Sequence, residues 1–199
     1  MATFRRLAWY FLDEAETLCS IQDDLTNLSR GFSFVQHPKN RLMDAYLELA
    51  NRACIYRQHH LFHNGQWNRQ SIYKYIDRDE RLRKLLMGVL YTTGGQVPRI
   101  PKLSSLEYVN GPSTERGFYV WNGSIIYLTR HHKAKRSTNR EFFVVRFLPA
   151  QGGRLLYQYL VYIRPFIQML KDEMTGLEIQ AREEYKGSYI FCPKWHGPP

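Results

Sequence analysis

Between residues 118 and 147 the apolar residues stop recurring every three or four positions and gather into short β-branched and aromatic runs. Phe118-Tyr119-Val120-Trp121 and Ser124-Ile125-Ile126-Tyr127-Leu128-Thr129 flank Asn122-Gly123. Those two residue types tolerate the positive φ of a tight hairpin turn, so the two runs are expected to pair. Glu141 to Phe147 (EFFVVRF) is a third expected strand, joined to the second by a polar stretch, His131 to Arg140. On both sides of this region the period is helical. Helices are expected over residues 3–28, about 40–60, about 69–92 and about 154–171, with a shorter one over 176–186. Pro165 lies inside the fourth and is expected to kink it. Asp77 or Asp79 is a candidate cap for a separate start within the third. Asn64-Gly65 is a strong turn signal. The fold class is α+β: a helical N-terminal region, 1–75, then a unit over 76–199 with a three-stranded antiparallel sheet and flanking helices.

The charge balance constrains the partners. Twenty-eight Lys and Arg stand against 18 Asp and Glu, a net charge of +10, which favours a polyanion. Cys19, Cys54 and Cys192 are sparse and odd in number, which argues against a disulfide framework and for reduced thiols. No segment approaches the ~20 apolar residues of a membrane span. Arg5 and Arg6 precede only a short apolar run, Leu7 to Leu12, so no targeting segment is expected. The expectation is a soluble protein of the cytosol or nucleus.

Two segments carry candidate chemistry. Arg99 stands in GGQVPRIPKLSSL, where glycines and prolines hold the backbone open ahead of a short helix anchored by Leu103 and Leu106. A guanidinium presented there can donate two parallel hydrogen bonds to phosphate oxygens, although an idle surface arginine fits the composition equally. The second segment is the expected hairpin tip. Arg130, Lys133, Lys135, Arg136, Arg140 and Arg146 face one acid, Glu141, with His131 and His132 beside them. Such a tip can contact a nucleic-acid backbone, and a lysine on it can protonate a leaving oxygen; its bland counterpart is a solvated basic loop.

Other motifs are weaker. His59 and His63 are spaced i, i+4 for one helix face, but no HExxH and no third ligand accompany them, so no metal site is expected. GxxxxGK[ST] and GxGxxG are absent. Gly94-Gly95 reads as a helix stop. The aromatic residues (14 Tyr, 11 Phe, 4 Trp) are assigned mostly to the core by spacing, and nothing singles out a stacking platform for single strands.

TTGGQVPRIPKLSSLEY resembles the first arginine box of the tyrosine recombinases, the integrases and Cre-like enzymes. The hairpin with TRHHKAKR resembles their lysine-bearing β-turn, and VVRFLPAQGGRLLYQYL the strand and helix that follow. GFSFVQHPKN, RGFYVWNGSIIYLTRHHK and RFLP…LLYQYLVYIRPF further resemble, over residues 31–195, a Crypton-type segment of fungal mobile-element and telomere-linked helicase open reading frames. The resemblance implies a partial recombinase-like catalytic domain. Arg99 would match its first catalytic arginine and Lys133 its hairpin lysine, with Lys135 the other candidate. Arg130, His131, His132, Lys135, Arg136 and Arg140 would contact DNA.

The same resemblance defines what is missing. Lys102 replaces the acid often found three residues past the arginine. None of the seven histidines has arginine three positions later, so the H-x-x-R box is absent, and Tyr185 and Tyr189 come too early for the nucleophile. The tail CPKWHGPP reads as a loop cut short, with apolar surface expected nearby. The expected function is double-stranded DNA binding in the nucleus, without cleavage by this chain alone, in a homo-oligomer on DNA where one forms. No cofactor, membrane or small-molecule substrate is implied. The alternatives are a non-enzymatic interaction or scaffold module of a mobile-element protein, and a recombinase completed by another chain.

Overall fold

The turn at Asn122-Gly123 takes φ of 46° and 72°, the left-handed pair that a tight hairpin needs. It joins β3 (Phe118–Trp121) to β4 (Ser124–His131), and β4 pairs in turn with β5 (Phe142–Phe147), giving the antiparallel order β3-β4-β5. In this computed structural model residues 18–55, 60–131, 142–175 and 189–191 are described. All three strands match the sequence expectation to within a residue or two. Phe118, Val120, Ile125, Tyr127, Thr129 and Arg146 point inward and are buried. The alternate positions form the outer face, on which Tyr119 and Ile126 are also buried.

Ahead of the sheet lie α1 (Leu47–Ile55), a small hairpin of β1 (Phe62–His63) and β2 (Gln66–Trp67), α2 (Arg69–Thr93) and α3 (Ile100–Ser104). Asn64-Gly65 forms the turn of the small hairpin, both at positive φ. That places His63 on a strand, not on the helix that the His59/His63 spacing suggested, and His59 lies outside the described residues. The Asn68 side chain accepts from Ser71 N at 3.1 Å and starts α2. α2 then runs unbroken across the expected boundary at residue 75, with no separate start at Asp77 or Asp79. Its buried stripe is Ile72, Ile76, Asp79, Arg83, Leu86 and Leu90. Leu85 is exposed, and a buried Asp79–Arg83 ion pair (3.0 Å) occupies the middle of the stripe.

Behind the sheet, α4 (Ala150–Gln158) passes into a π-helical segment, Tyr159–Ile163, and on into α5 (Arg164–Thr175). Pro165 explains the wider turn. It has no N–H to give, and its ring would press on the carbonyl four residues back, at Val161. Leu156, Tyr159, Leu160, Ile163, Phe166, Ile167 and Leu170 pack inward from this helix.

The first two helix expectations need correction. Residues 18–28 are not α-helical: a single 3-10 turn (Leu18–Ser20) leads into irregular backbone. Asp24 Oδ1 accepts from both N and Oγ1 of Thr26, and Asn27 Oδ1 accepts from Ser29 N. These side chains close local turns that compete with helix bonds. The second helix begins at Leu47, not near 40, since Arg41 sits at φ 52° and breaks the run. Met43 and Leu47 are exposed.

What holds this irregular segment is a buried ion pair. Arg116 Nη2 donates to Asp23 Oδ1 at 2.7 Å, both side chains fully buried, and to Asp24 O at 2.8 Å. Asp23 Oδ2 accepts from Val120 N, which ties the loop to β3. The guanidinium also lies 5.1 Å from the Phe32 ring centre and 4.5 Å from that of Tyr119. Removing one partner of such a pair strands the other charge in the core. Arg116→Met is expected to cost about 3–5 kcal/mol in urea unfolding, and adding Asp23→Leu to recover much of it. A single-variant loss of under about 1 kcal/mol would show that the pair does not anchor the segment.

Candidate phosphate-binding corner

α2 stops at Thr93 because Gly94 and Gly95 turn the chain sharply. Gly95 takes φ +80°, while a Cβ on Gly94 would lie 2.0 Å from the Tyr127 hydroxyl. So the glycine pair, expected only as a helix stop, also makes room for a side chain from the sheet. Tyr127 Oη donates to Leu90 O at 2.7 Å, fixing the end of α2 against β4. Arg146 completes the joint. Its Nε and Nη2 donate to Gln96 O at 3.2 and 3.1 Å, and its Nη1 donates to Thr129 Oγ1. The turn is thereby clamped to two neighbouring strands.

Arg99 follows as the residue that caps α3, in extended conformation (φ −64°, ψ 138°), with its side chain exposed. Pro101 suits the first turn of α3, and fully buried Leu103 pins the helix down. Lys102, three residues on, reaches across and donates from Nζ to the carbonyl of Arg130 near the end of β4. Burial lowers the Lys102 pKa from the ordinary lysine value, with Arg99 and then Arg146 pushing the same way. Three cations thus act on one another at this corner. Among the described residues neither Arg99 nor Lys102 forms an ion pair. Like charges at this spacing oppose one another, and an anion between them would relieve the repulsion.

The expected site residues divide as follows. Arg99 is where the sequence placed it, beside a short helix and solvent-facing. Arg130 lies on β4, pairs with Glu115 at 2.8 Å and sits 5.4 Å from the Phe143 ring centre. His131 ends β4 opposite Phe142. His132, Lys133, Lys135, Arg136 and Arg140 lie outside the described residues. The structure brings Arg99, Lys102 and Arg146 together near the end of β4, where Lys102 holds the Arg130 carbonyl. Sequence reasoning saw Lys102 only as a departure and counted Arg146 only as surface charge. Strand alternation gave no sign of an inward Arg146, because the opposite set, Phe143, Val145 and Phe147, is the more apolar one.

A second charged centre joins α2 to α5. Burial raises the Asp79 carboxyl and pushes Lys171 down to about 7, each partly countered by the other's charge. With Arg83 these groups lock two helices together, and the cleft above them is lined by Tyr46, Tyr108, Arg164 and Asp172.

Among the described residues no group of His, Cys, Asp and Glu is placed to hold a metal ion, and no helix is long and apolar enough to cross a membrane. Cys19 and Cys54 are free and exposed. The chain matches no protein-family model and no solved structure.

Two outcomes follow for the corner. Gly94→Ala is expected to displace the Tyr127 hydroxyl and the Arg146 side chain and to cost about 1–3 kcal/mol of stability by thermal unfolding; an unchanged melting temperature would disprove the close approach. The lowered Lys102 pKa means that the unfolded chain holds the extra proton between that value and the ordinary one. Stability therefore rises with pH through that window, and Lys102→Met should flatten the rise in urea titrations at a series of alkaline pH values.

Proposed function

We propose that this chain binds double-stranded DNA through its phosphate backbone at the Arg99–Lys102 corner and the adjoining basic segment, and does not cut DNA by itself. The observation that carries the reading is the exposed Arg99 and the half-buried, like-charged Lys102, which act on each other beyond a glycine turn that Arg146 clamps to the sheet. Holding two cations together costs free energy that a phosphate would offset. The net charge of +10 supplies long-range attraction for the same partner. Contacts of this kind position a protein on DNA without reading sequence, so binding would be strongly salt-dependent.

The tyrosine-recombinase resemblance supports the same partner. Arg99 occupies the turn-then-helix setting of the first arginine box, and a basic segment follows on the β4–β5 connection. Strand cleavage would further require a second arginine, a histidine and a tyrosine nucleophile, and the chain has no H-x-x-R box to supply them. Lys102 strengthens the binding reading, because it adds a cation where those enzymes often carry an acid. A DNA-binding role of mobile-element origin, exercised in the nucleus and on DNA as a homo-oligomer, is consistent with that resemblance.

The test is a labelled duplex of about 30 base pairs titrated across salt, with a denaturing gel of the same samples. The expected result is a steep loss of affinity with salt and no covalent band. Arg99→Ala with Lys102→Ala should weaken binding by on the order of 1–3 kcal/mol and lower the salt slope by about 2, and adding Lys133→Ala should lower both further. Unchanged affinity in the double variant would remove the corner as the site. A covalent protein–DNA band would show a complete active site, and no binding at low salt would favour a scaffold module.

A further inference from the structure

The outer face of the three-stranded sheet covers Tyr119 and Ile126 but leaves other large apolar side chains in solvent, where polar ones are usual. Trp121 on β3 is 54% exposed, and Phe143, Val145 and Phe147 on β5 are 50%, 47% and 56% exposed. The register puts Phe143 beside Arg130, Val145 beside Leu128 and Phe147 beside Ile126, while Trp121 pairs with Ser124 at the hairpin end of β3. These residues share one face, and β5 is an edge strand. A run of exposed aromatics along a sheet edge is a liability unless it serves a partner.

The rings stand apart along the face. Alternate residues along a strand are about 6.6 Å apart, so Phe143 and Phe147 stand about 13 Å from each other, and Trp121, two strands across and further along, lies about 12 Å from Phe147 and about 22 Å from Phe143. Single-stranded nucleic acid offers unpaired bases to such rings, whereas a duplex keeps its bases stacked on one another. Charge supplies the rest. Arg130 borders the patch with its guanidinium 5.4 Å from the Phe143 ring centre, and a phosphate there would compete with Glu115, its ion-pair partner at 2.8 Å. A second copy of this chain would instead bring another +10 charge against the first.

We infer that this face is a binding platform for single-stranded nucleic acid, with bases stacking on Trp121, Phe143 and Phe147 and phosphates running past Arg130. The rings are distinct from the Arg99–Lys102 corner, so the platform stands without the duplex reading. Base–aromatic stacking tolerates any sequence, and the salt dependence of the phosphate contacts accompanies it.

The test compares labelled oligothymidine of about 12 nucleotides with a duplex, for the full chain and for Trp121→Ala/Phe143→Ala/Phe147→Ala. The expected result is a loss of at least about 10-fold in oligothymidine affinity with duplex affinity unchanged. Trp121→Phe should retain binding while losing part of the fluorescence quenching that oligothymidine causes. Phe143→Tyr with Phe147→Tyr should also retain binding, and because these side chains are exposed the melting temperature of the triple variant should stay close to that of the parent. Equal affinity of parent and triple variant for oligothymidine, or no binding by the parent, would overturn the inference. Concentration-dependent self-association of the parent that the triple variant abolishes, without oligothymidine binding, would assign the face to a dimer.

Discussion

The Arg116–Asp23 pair is the interaction on which the rest of the structure depends. Burial pushes the Asp23 carboxyl up, against the pull of the Val120 N–H and of Arg116, so desolvation outweighs the attraction at that carboxylate. A pair under that balance contributes little net stability compared with a well-packed apolar one. Its effect here is to select one arrangement. Two fully buried groups with fixed donors and acceptors fit only when the 21–32 segment lies against β3 with Phe32 on one side of the guanidinium and Tyr119 close by. That segment has few regular backbone bonds of its own, and the pair supplies what a helix would otherwise have provided. Asn110 extends the arrangement, its side chain donating to the carbonyls of Asn27 and Ser29 and accepting from Arg116 N.

Where residue choice and period agree, the sequence is readable. Asn122-Gly123 and Asn64-Gly65 require positive φ and take it, and the strands beside the first turn follow within a residue or two. The α2 stripe follows a 3-4 spacing, although two of its six positions are charged. The failures share a cause. Residues 18–28 and 40–46 have apolar residues at helical spacing, yet Asp24 and Asn27 spend their side chains on nearby backbone, Asn40 reaches the carbonyls of Gln22 and Phe34, and Asp23 is drawn inward by a residue 93 positions away. No local pattern announces a contact of that range. The same limit hid which face of EFFVVRF is buried: alternation separates Phe143, Val145 and Phe147 from Val144 and Arg146, but only the packing of α2 and α3 decides that the arginine goes in.

For the candidate site, Arg99 was legible because glycine, proline and a leucine-anchored short helix leave few other placements. Lys102 and Arg146 were not, since a cation's role depends on what it reaches, and both reach carbonyls far along the chain. Arg146 shows how a buried charge serves an exposed one. Its three donors are engaged by Gln96 O and Thr129 Oγ1, which keeps the 94–98 turn rigid and fixes the direction from which Arg99 leaves it. A guanidinium whose backbone is already fixed loses less conformational freedom on meeting phosphate than one on a loose loop.

The corner and the sheet face also constrain each other. The Lys102 bond to the Arg130 carbonyl places α3 against the strand whose outward side chain borders the aromatic patch. A phosphate drawn to Lys102 and Arg99 would weaken the hold on that carbonyl, because Lys102 would share its ammonium protons between two acceptors. The end of β4 would then gain freedom as the anion binds. Arg130 would feel the change directly through its own backbone, and its contact with Glu115 is the exposed ion pair able to give way, since such pairs contribute at most about 1 kcal/mol. Through a single hydrogen bond the corner is thereby joined to Arg130, which borders the aromatic face.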